Sequence, residues 1–172
     1  MIFVTVGTHE QQFNRLVRAV DELRIRRLIK EEVFMQIGCS DYLPAACSYE
    51  RFIPHEKMDA MMAKANIVIT HSGPGSIFNC FRYDKIPVVV PRQPEFHEHV
   101  DLHQVKFTEF LEKKKAVIAV YDIKDICGII NTYKSVCMNS SCFAVNRNLE
   151  YFTKRINEIS IELFTGTHGS TP

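Results

Sequence analysis

Three polar segments each follow an apolar run of strand length, and they hold the residues best equipped for chemistry. The first is Val6-Gly7-Thr8-His9-Glu10. A glycine turn between a strand and a helix exposes N–H groups beside the positive end of a helix dipole, which suits a phosphate. Thr8 adds a hydroxyl donor, and His9 and Glu10 are groups that can take a proton. The alternative is a plain turn in which Thr8 or Glu10 caps the helix. The second is His71-Ser72-Gly73-Pro74-Gly75-Ser76. Its small residues let a backbone approach a diphosphate closely. No Gly-Lys-Ser/Thr follows, so it is not a Walker A loop. The third runs from Pro91 to Gln104 and is dense in carboxylate, amide and imidazole groups that can hold sugar hydroxyls. Within it His97, His99, Asp101 and His103 approach a binuclear metallohydrolase pattern, but Leu102 stands where its last His belongs. His99 and His103 are also four apart, a spacing that can share a metal on one helix face.

These segments need a scaffold that brings strand ends together. Strands are expected at Ile2–Val6, Val33–Ile37, Tyr49–Ile53, Asn66–Thr70, Pro87–Pro91 and Ala116–Val120. Phe13, Leu16, Val17, Val20 and Leu23 recur at helical spacing. Further helices are expected at Glu56–Ala65, with Met58, Met61 and Met62 inward, and at Ser76–Tyr83, His99–Lys113 and Asp122–Tyr133, the last capped by Asp122. Continuous apolar strands alternating with helices indicate a parallel sheet covered on both faces, an α/β, doubly wound, Rossmann-like fold. The expected division is a domain over 1–134, an irregular linker over 135–146, an amphipathic helix over 147–164 and a frayed tail over 165–172.

The 172 residues suffice for one domain with its own core. A net charge of +1 gives no general attraction to nucleic acid. Basic residues do cluster at Arg15, Arg18, Arg24, Arg26, Arg27 and Lys30, and again at Lys113–Lys115. They read as solvated helix surface or, alternatively, as a contact for anionic lipid. The six cysteines form no CxxC pair and no zinc spacing, as expected of free thiols in a reducing cytosol. The opening MIFVTVG has neither the basic start nor the apolar length of a signal peptide.

The segments VTVGTHE, FMQIG, RFIPHEKM, THSGPGS, KIPVVVPRQ and EHVDLHQ, in that order, resemble glycosyltransferase family 28, in its C-terminal, donor-binding half. The pattern is similar to the small catalytic subunits of two-component bacterial capsule and exopolysaccharide glycosyltransferases. It is also similar to the soluble subunit of the eukaryotic transferase that adds N-acetylglucosamine to dolichol-linked sugar. The resemblance implies the C-terminal half of a GT-B glycosyltransferase, with a UDP-sugar as donor substrate and no cofactor or metal. It implies Gly7 and Thr8 at the diphosphate, and the backbone of Phe52 and Ile53 at uracil. Ser72, Gly73, Gly75 and Ser76 fall at diphosphate and ribose, and Asp101, His103 and Gln104 at the sugar, with Glu98 and His99 nearby. Asn79 stands where related enzymes carry a ribose-binding Glu, so a ribose contact here lacks charge assistance.

Complete enzymes of this architecture join two such domains across a cleft. The resemblance therefore implies a separate, membrane-anchored, acceptor-binding partner subunit, and a cytoplasmic place at the inner face of the membrane through that partner. The expected reaction is inverting transfer of a hexose, galactose favoured, to a polyprenyl-diphosphate-linked sugar in capsule or exopolysaccharide synthesis. His9 and Glu10 are its candidate bases, unless the partner supplies one. The alternatives are a non-catalytic UDP-sugar-binding module and a metallohydrolase built on the histidine cluster.

Overall fold

A computed structural model describes residues 1–139 of the chain. The expected strands all form, but shorter: β1 Ile2–Thr5, β2 Val33–Gln36, β3 Ser48–Glu50, β4 Ile67–Thr70, β5 Val88–Val89 and β6 Ile118–Ala119. They make one sheet in the order β3-β2-β1-β4-β5-β6. Every neighbouring pair is parallel. The helices are α1 Asn14–Ile25, α2 His55–Lys64, α3 Pro74–Arg82, α4 His103–Lys113 and α5 Ile126–Asn139.

Strand side chains alternate between the two faces, and each face acquires its own core. Ile2, Val4 and Val6 of the first strand segment join Leu16, Val17 and Val20 of α1 and Ile126, Ile130 and Tyr133 of α5 on one side. Phe3 and Val68 meet Met62 of α2 and Cys80 of α3 on the other. Val89 packs with Ile77, Phe81 and Leu111, which extends that second face to α4. The sheet is therefore doubly wound, as expected. Of the three methionines expected to face inward, Met62 is buried, whereas Met58 and Met61 are only partly covered at the edge of the cluster.

Three boundaries differ from expectation in ways that bear on function. The helix expected directly after Gly7 begins only at Asn14. Residues 8–13 instead form a loop whose carbonyls and amides are taken by side chains from elsewhere. The helix expected from His99 begins at His103, because a short 3-10 helix at Pro94–Phe96 ends in a left-handed His97 (φ 56°) and breaks the periodicity. Asp122 does act as a cap, accepting from the Lys124 amide, but of a short 3-10 helix at Ile123–Asp125. The helix that follows continues to Asn139, so the first residues of the expected 135–146 linker are helical. The remainder of that linker, the expected 147–164 helix and the tail lie outside the described residues.

The link from β2 to β3 has no helix, yet it is tightly held. The buried Asp21 of α1 accepts from the Tyr42 hydroxyl and from the Ala45 and Ala46 amides, each at 2.8 Å. These three donors hold its carboxyl below its ordinary value despite the opposing cost of burial. Asn14 Oδ1 accepts from the Asp41 and Tyr42 amides.

Candidate functional site

The strand order reverses between β1 and β4. In open parallel sheets of this kind, ligands bind in the crevice outside the carboxyl ends of the strands at that switch point. The loops that converge there are 6–13 after β1, 71–73 after β4 and 90–102 after β5.

The floor of this crevice is a buried polar frame. Gln36, in the otherwise apolar strand β2, takes the Thr5 hydroxyl and the Gly7 amide on its oxygen and donates to the Gly7 and Arg51 carbonyls. The Gly7 N–H, expected to meet a phosphate, is thus engaged by protein. His71 is buried, with its ring between two glycines. A Cβ on Gly7 would come within 2.5 Å of His71 Cε1, and one on Gly73 within 2.2 Å of Nε2. Gly7 also has φ +77°, where a side chain is strained. These two glycines therefore accommodate the imidazole. Burial and the nearby Arg92 guanidinium push the His71 imidazole down to about 4, so it is neutral at physiological pH.

Arg92 binds the loops to one another. It is fully buried and donates to the carbonyls of Val6, Gln11, Gln12 and Glu98. Its guanidinium lies over the Phe13 ring, 4.8 Å from the centroid. Burial lowers it to about 10, and it remains charged at neutral pH. Beside it Glu98 accepts both Nε (3.0 Å) and Nη2 (2.8 Å) of Arg15, and also the Gln93 amide. Glu98 was expected near the sugar. With no exposed surface and both oxygens occupied, it instead fixes the loop after β5 to α1. Ser72 is corrected in the same way. It is buried, its amide donates to Gln104 Oε1, and its hydroxyl pairs with that of Thr108 at 2.7 Å. Gln104 Oε1 also takes the Arg92 amide, so this residue joins the ends of β4 and β5 to α4. Its amide NH2 group has no partner among the described residues.

The outer rim is built differently. No side chain caps α3, so the amides of Gly75 and Ser76 are among the orphan donors of its first turn. A Cβ on Gly75 would meet nothing within 4 Å. Between α2 and α3 opens a cleft of about 350 Å³, lined by His55, Met58, Gly75, Ser76, Asn79 and Arg82 among others. Asn79 faces it, held by Asp59 (3.4 Å) and Arg82 (3.2 Å). The backbones of Phe52 and Ile53 make no hydrogen bond among the described residues. Phe52 is half exposed, whereas the side chain of Ile53 packs on the core beside Met62. Both lie in the loop beyond β3 rather than in the strand.

The third wall is a group of imidazoles. Thr8 and Glu10 are exposed, and His9 turns inward to within 5.1 Å of His99, centroid to centroid. His9 Nδ1 accepts the Gln11 amide at 3.2 Å. In a neutral imidazole one nitrogen accepts and the other carries the proton, so Nε2 of His9 is the N–H. Partial burial, then Arg92 and His99, lower its basicity and keep it in that neutral form. His9 Nε2 is thus arranged to donate a hydrogen bond rather than to accept one. Asp101 Oδ2 lies 2.7 Å from His103 Nδ1, and Oδ1 accepts the His103 amide at 2.9 Å. His99 Nδ1 accepts the Asp101 amide at 3.3 Å and lies 3.1 Å from the same carboxylate. These contacts, the His103 amide first, hold the Asp101 carboxyl below its ordinary value. His97 is exposed in its left-handed turn. Among the described residues no three His, Cys, Asp or Glu side chains converge as metal ligands do, the alternative metallohydrolase pattern of the histidine-rich segment included.

Gln36 and Arg15 lie outside the three segments singled out by sequence, whereas His71 and Arg92 lie inside them with no role of their own expected. Gln36 and Arg92 carry a legible signal: each is a lone polar residue inside or ending an apolar strand run, which burial permits only with partners.

Residues 1–158 match the family described as Glycosyltransferase family 28 C-terminal domain. The chain is 34% identical over 73 residues to the UDP-N-acetylglucosamine transferase subunit ALG13 of Yarrowia lipolytica (strain CLIB 122 / E 150), a match that covers 42% of this chain and 35% of that protein. The glycotransferase of kitacinnamycin superposes on 94% of this chain and 42% of its own, at a TM-score of 0.62 and 17% identity. The calicheamicin glycosyltransferase CalG4 superposes on 90% of this chain and 43% of its own, at a TM-score of 0.53 and 14% identity. The chain therefore spans between a third and a half of the length of these proteins. At these identities the two structures speak for the fold alone, and the sequence match decides the family: the chain belongs to glycosyltransferase family 28, as its C-terminal domain.

Proposed function

We propose that this domain holds the donor of an inverting glycosyltransferase, a UDP-sugar lying along the carboxyl edge of the sheet. The observation that carries the reading is the start of α3. An uncapped helix N-terminus beside an open cleft presents free amides and a positive dipole end, and Gly75 leaves that approach clear for no reason internal to the protein. The diphosphate lies there, with Thr8 at its side. Uracil meets the free peptide edge of Phe52 and Ile53, the ribose meets Asn79, and the sugar reaches the Gln104 amide and the His103 end of α4. As UDP departs, its growing negative charge is met by the α3 amides and by the Nε2–H of His9.

The finer reading is transfer of a hexose, galactose favoured, to a polyprenyl-diphosphate-linked sugar in capsule or exopolysaccharide synthesis. A membrane-anchored partner would hold the acceptor across the cleft and so bring the domain to the membrane face. The chain's similarity to a protein named as a transferase subunit supports a partner. Among the described residues no helix is long and apolar enough to cross a membrane. Calorimetric titration with UDP tests the donor half. Absence of binding at millimolar UDP, with the fold intact by circular dichroism, would sink it. Transfer from UDP-galactose on membranes containing the acceptor then distinguishes a transferase from a binding module without chemistry.

A further inference from the structure

If the donor site is as proposed, the reaction needs a group to take the acceptor's proton, and the described residues offer three kinds. His9 is spent as a donor, because the Gln11 amide fixes its Nδ1 as the acceptor. Glu10 is exposed and makes no hydrogen bond among the described residues, so nothing aims it. His103 has both properties a base requires. Its Nδ1 meets the Asp101 carboxylate at 2.7 Å, which places the ring proton on Nδ1 and leaves the lone pair on Nε2. Its side chain is 84% exposed, and Nε2 has no partner among the described residues. The ring is aimed from two sides: Asp101 also accepts the His103 amide, so one carboxylate anchors both the backbone and the imidazole at the first turn of α4. The neighbouring Gln104 is bound to the Ser72 amide, which fixes this turn against the loop that leads into α3.

We propose that Asp101 and His103 form an orienting carboxylate–imidazole pair, with His103 Nε2 as the general base of the transfer. The acceptor hydroxyl gives its proton to Nε2 while its oxygen bonds to the anomeric carbon. The bond from that carbon to the diphosphate oxygen breaks, and its electron pair leaves on UDP. Asp101 stabilises the imidazolium that results and does not itself take the proton. His99, in the same loop as Asp101 and accepting its amide, and His9, against His99 from the loop after β1, face the pair; Arg92 is the charged group behind them. Two imidazoles of opposite tautomer thus stand on the same wall: His9 to donate toward the departing diphosphate, His103 to accept from the incoming hydroxyl.

The tautomers can be read on the full chain alone, from the ring nitrogen shifts of 15N-labelled histidine. His103 is expected as the Nδ1–H form and His9 as the Nε2–H form; the reverse assignment at His103 overturns the proposal. In the transfer assay with UDP-galactose on acceptor membranes, His103→Gln should lower kcat by about 100-fold or more, the range of general base catalysis. Its affinity for UDP should change by less than about threefold, since the base acts in the transition state. Asp101→Asn keeps one oxygen for the His103 amide but sets an NH2 group against Nδ1, so it should lower kcat in the same direction and disturb the Nδ1–H tautomer. Normal UDP binding with unchanged kcat in His103→Gln overturns the pair and leaves the donor reading standing. Absence of UDP binding in the unaltered chain removes the ground for both. A loss in Glu10→Gln exceeding that in His103→Gln assigns the base to Glu10 and overturns the proposal.

Discussion

Gly73 and Gly75 stand two residues apart in one turn, and they are glycines for opposite reasons. Gly73 has no room for a side chain, because the buried His71 ring occupies the place a Cβ would take. Gly75 has ample room and opens on a cleft. The same division runs through the whole site. Gln36, His71, Ser72, Arg92 and Glu98 form an inner frame whose polar groups are satisfied chiefly by one another and by the three loops. Gly75, Ser76, Asn79, Phe52 and His103 form an outer rim with amides, carbonyls or side chains turned outward. Polar residues at the end of a sheet are therefore not alike: the frame holds the loops in place, and the rim is free to meet a ligand.

The strongest test of the division is Glu98→Ala. It leaves Arg15 and Arg92 as buried or nearly buried cations without a carboxylate, which costs about 3–5 kcal/mol. Thermal unfolding should show a large fall in Tm. A folded variant of wild-type stability that had merely lost sugar selectivity would move Glu98 to the rim.

Protonation of His71 probes the frame almost as hard. Its folded-state value of about 4 lies below its ordinary 6.5, so below pH 6.5 the unfolded chain binds a proton that the folded chain refuses. Stability is thus complete above pH 6.5, declines as pH falls toward 4, and loses about 3 kcal/mol in all from this group. Urea unfolding across that window measures the slope. His71→Gln should flatten it, and an unchanged slope would show that His71 is not the group responsible.

The glycine pair gives the smallest and sharpest contrast. Gly73→Ala drives a methyl into a ring that cannot retreat, at a cost of about 1–3 kcal/mol of stability. Gly75→Val should leave Tm within a few degrees, while UDP affinity falls about tenfold or more as the side chain blocks the amides. Equal losses of stability in the two variants would erase the distinction between frame and rim.

The periodicity of Ile2–Val6, Val33–Ile37 and Asn66–Thr70 against Phe13–Leu23 was enough to read a doubly wound parallel sheet, because burial on both faces forces apolar runs. The glycine-rich turns marked where the strand ends would meet. The helix starts were less legible. Asn14 begins α1 where long-range side-chain bonds, such as Arg92 to the Gln11 and Gln12 carbonyls, keep the preceding residues out of the helix, and His103 begins α4 only after the left-handed turn at His97. Local propensity carries no trace of such bonds.

Sequence by itself determined the strand order of the chemistry: which residues follow which strand, and that Gly7, Gly75 and the Glu98–Gln104 run share one edge of the sheet. Only the tertiary structure decided which of them face inward. Arg15 and Glu98 are 83 residues apart, and Thr108 and Ser72 are 36 apart. Whether a carboxylate or hydroxyl is consumed by such a partner, or left for a ligand, depends on loops meeting in space. The tautomers were decided there too, since the Gln11 amide fixes His9 and the Asp101 carboxylate fixes His103, and a ring nitrogen takes its proton from whatever faces it.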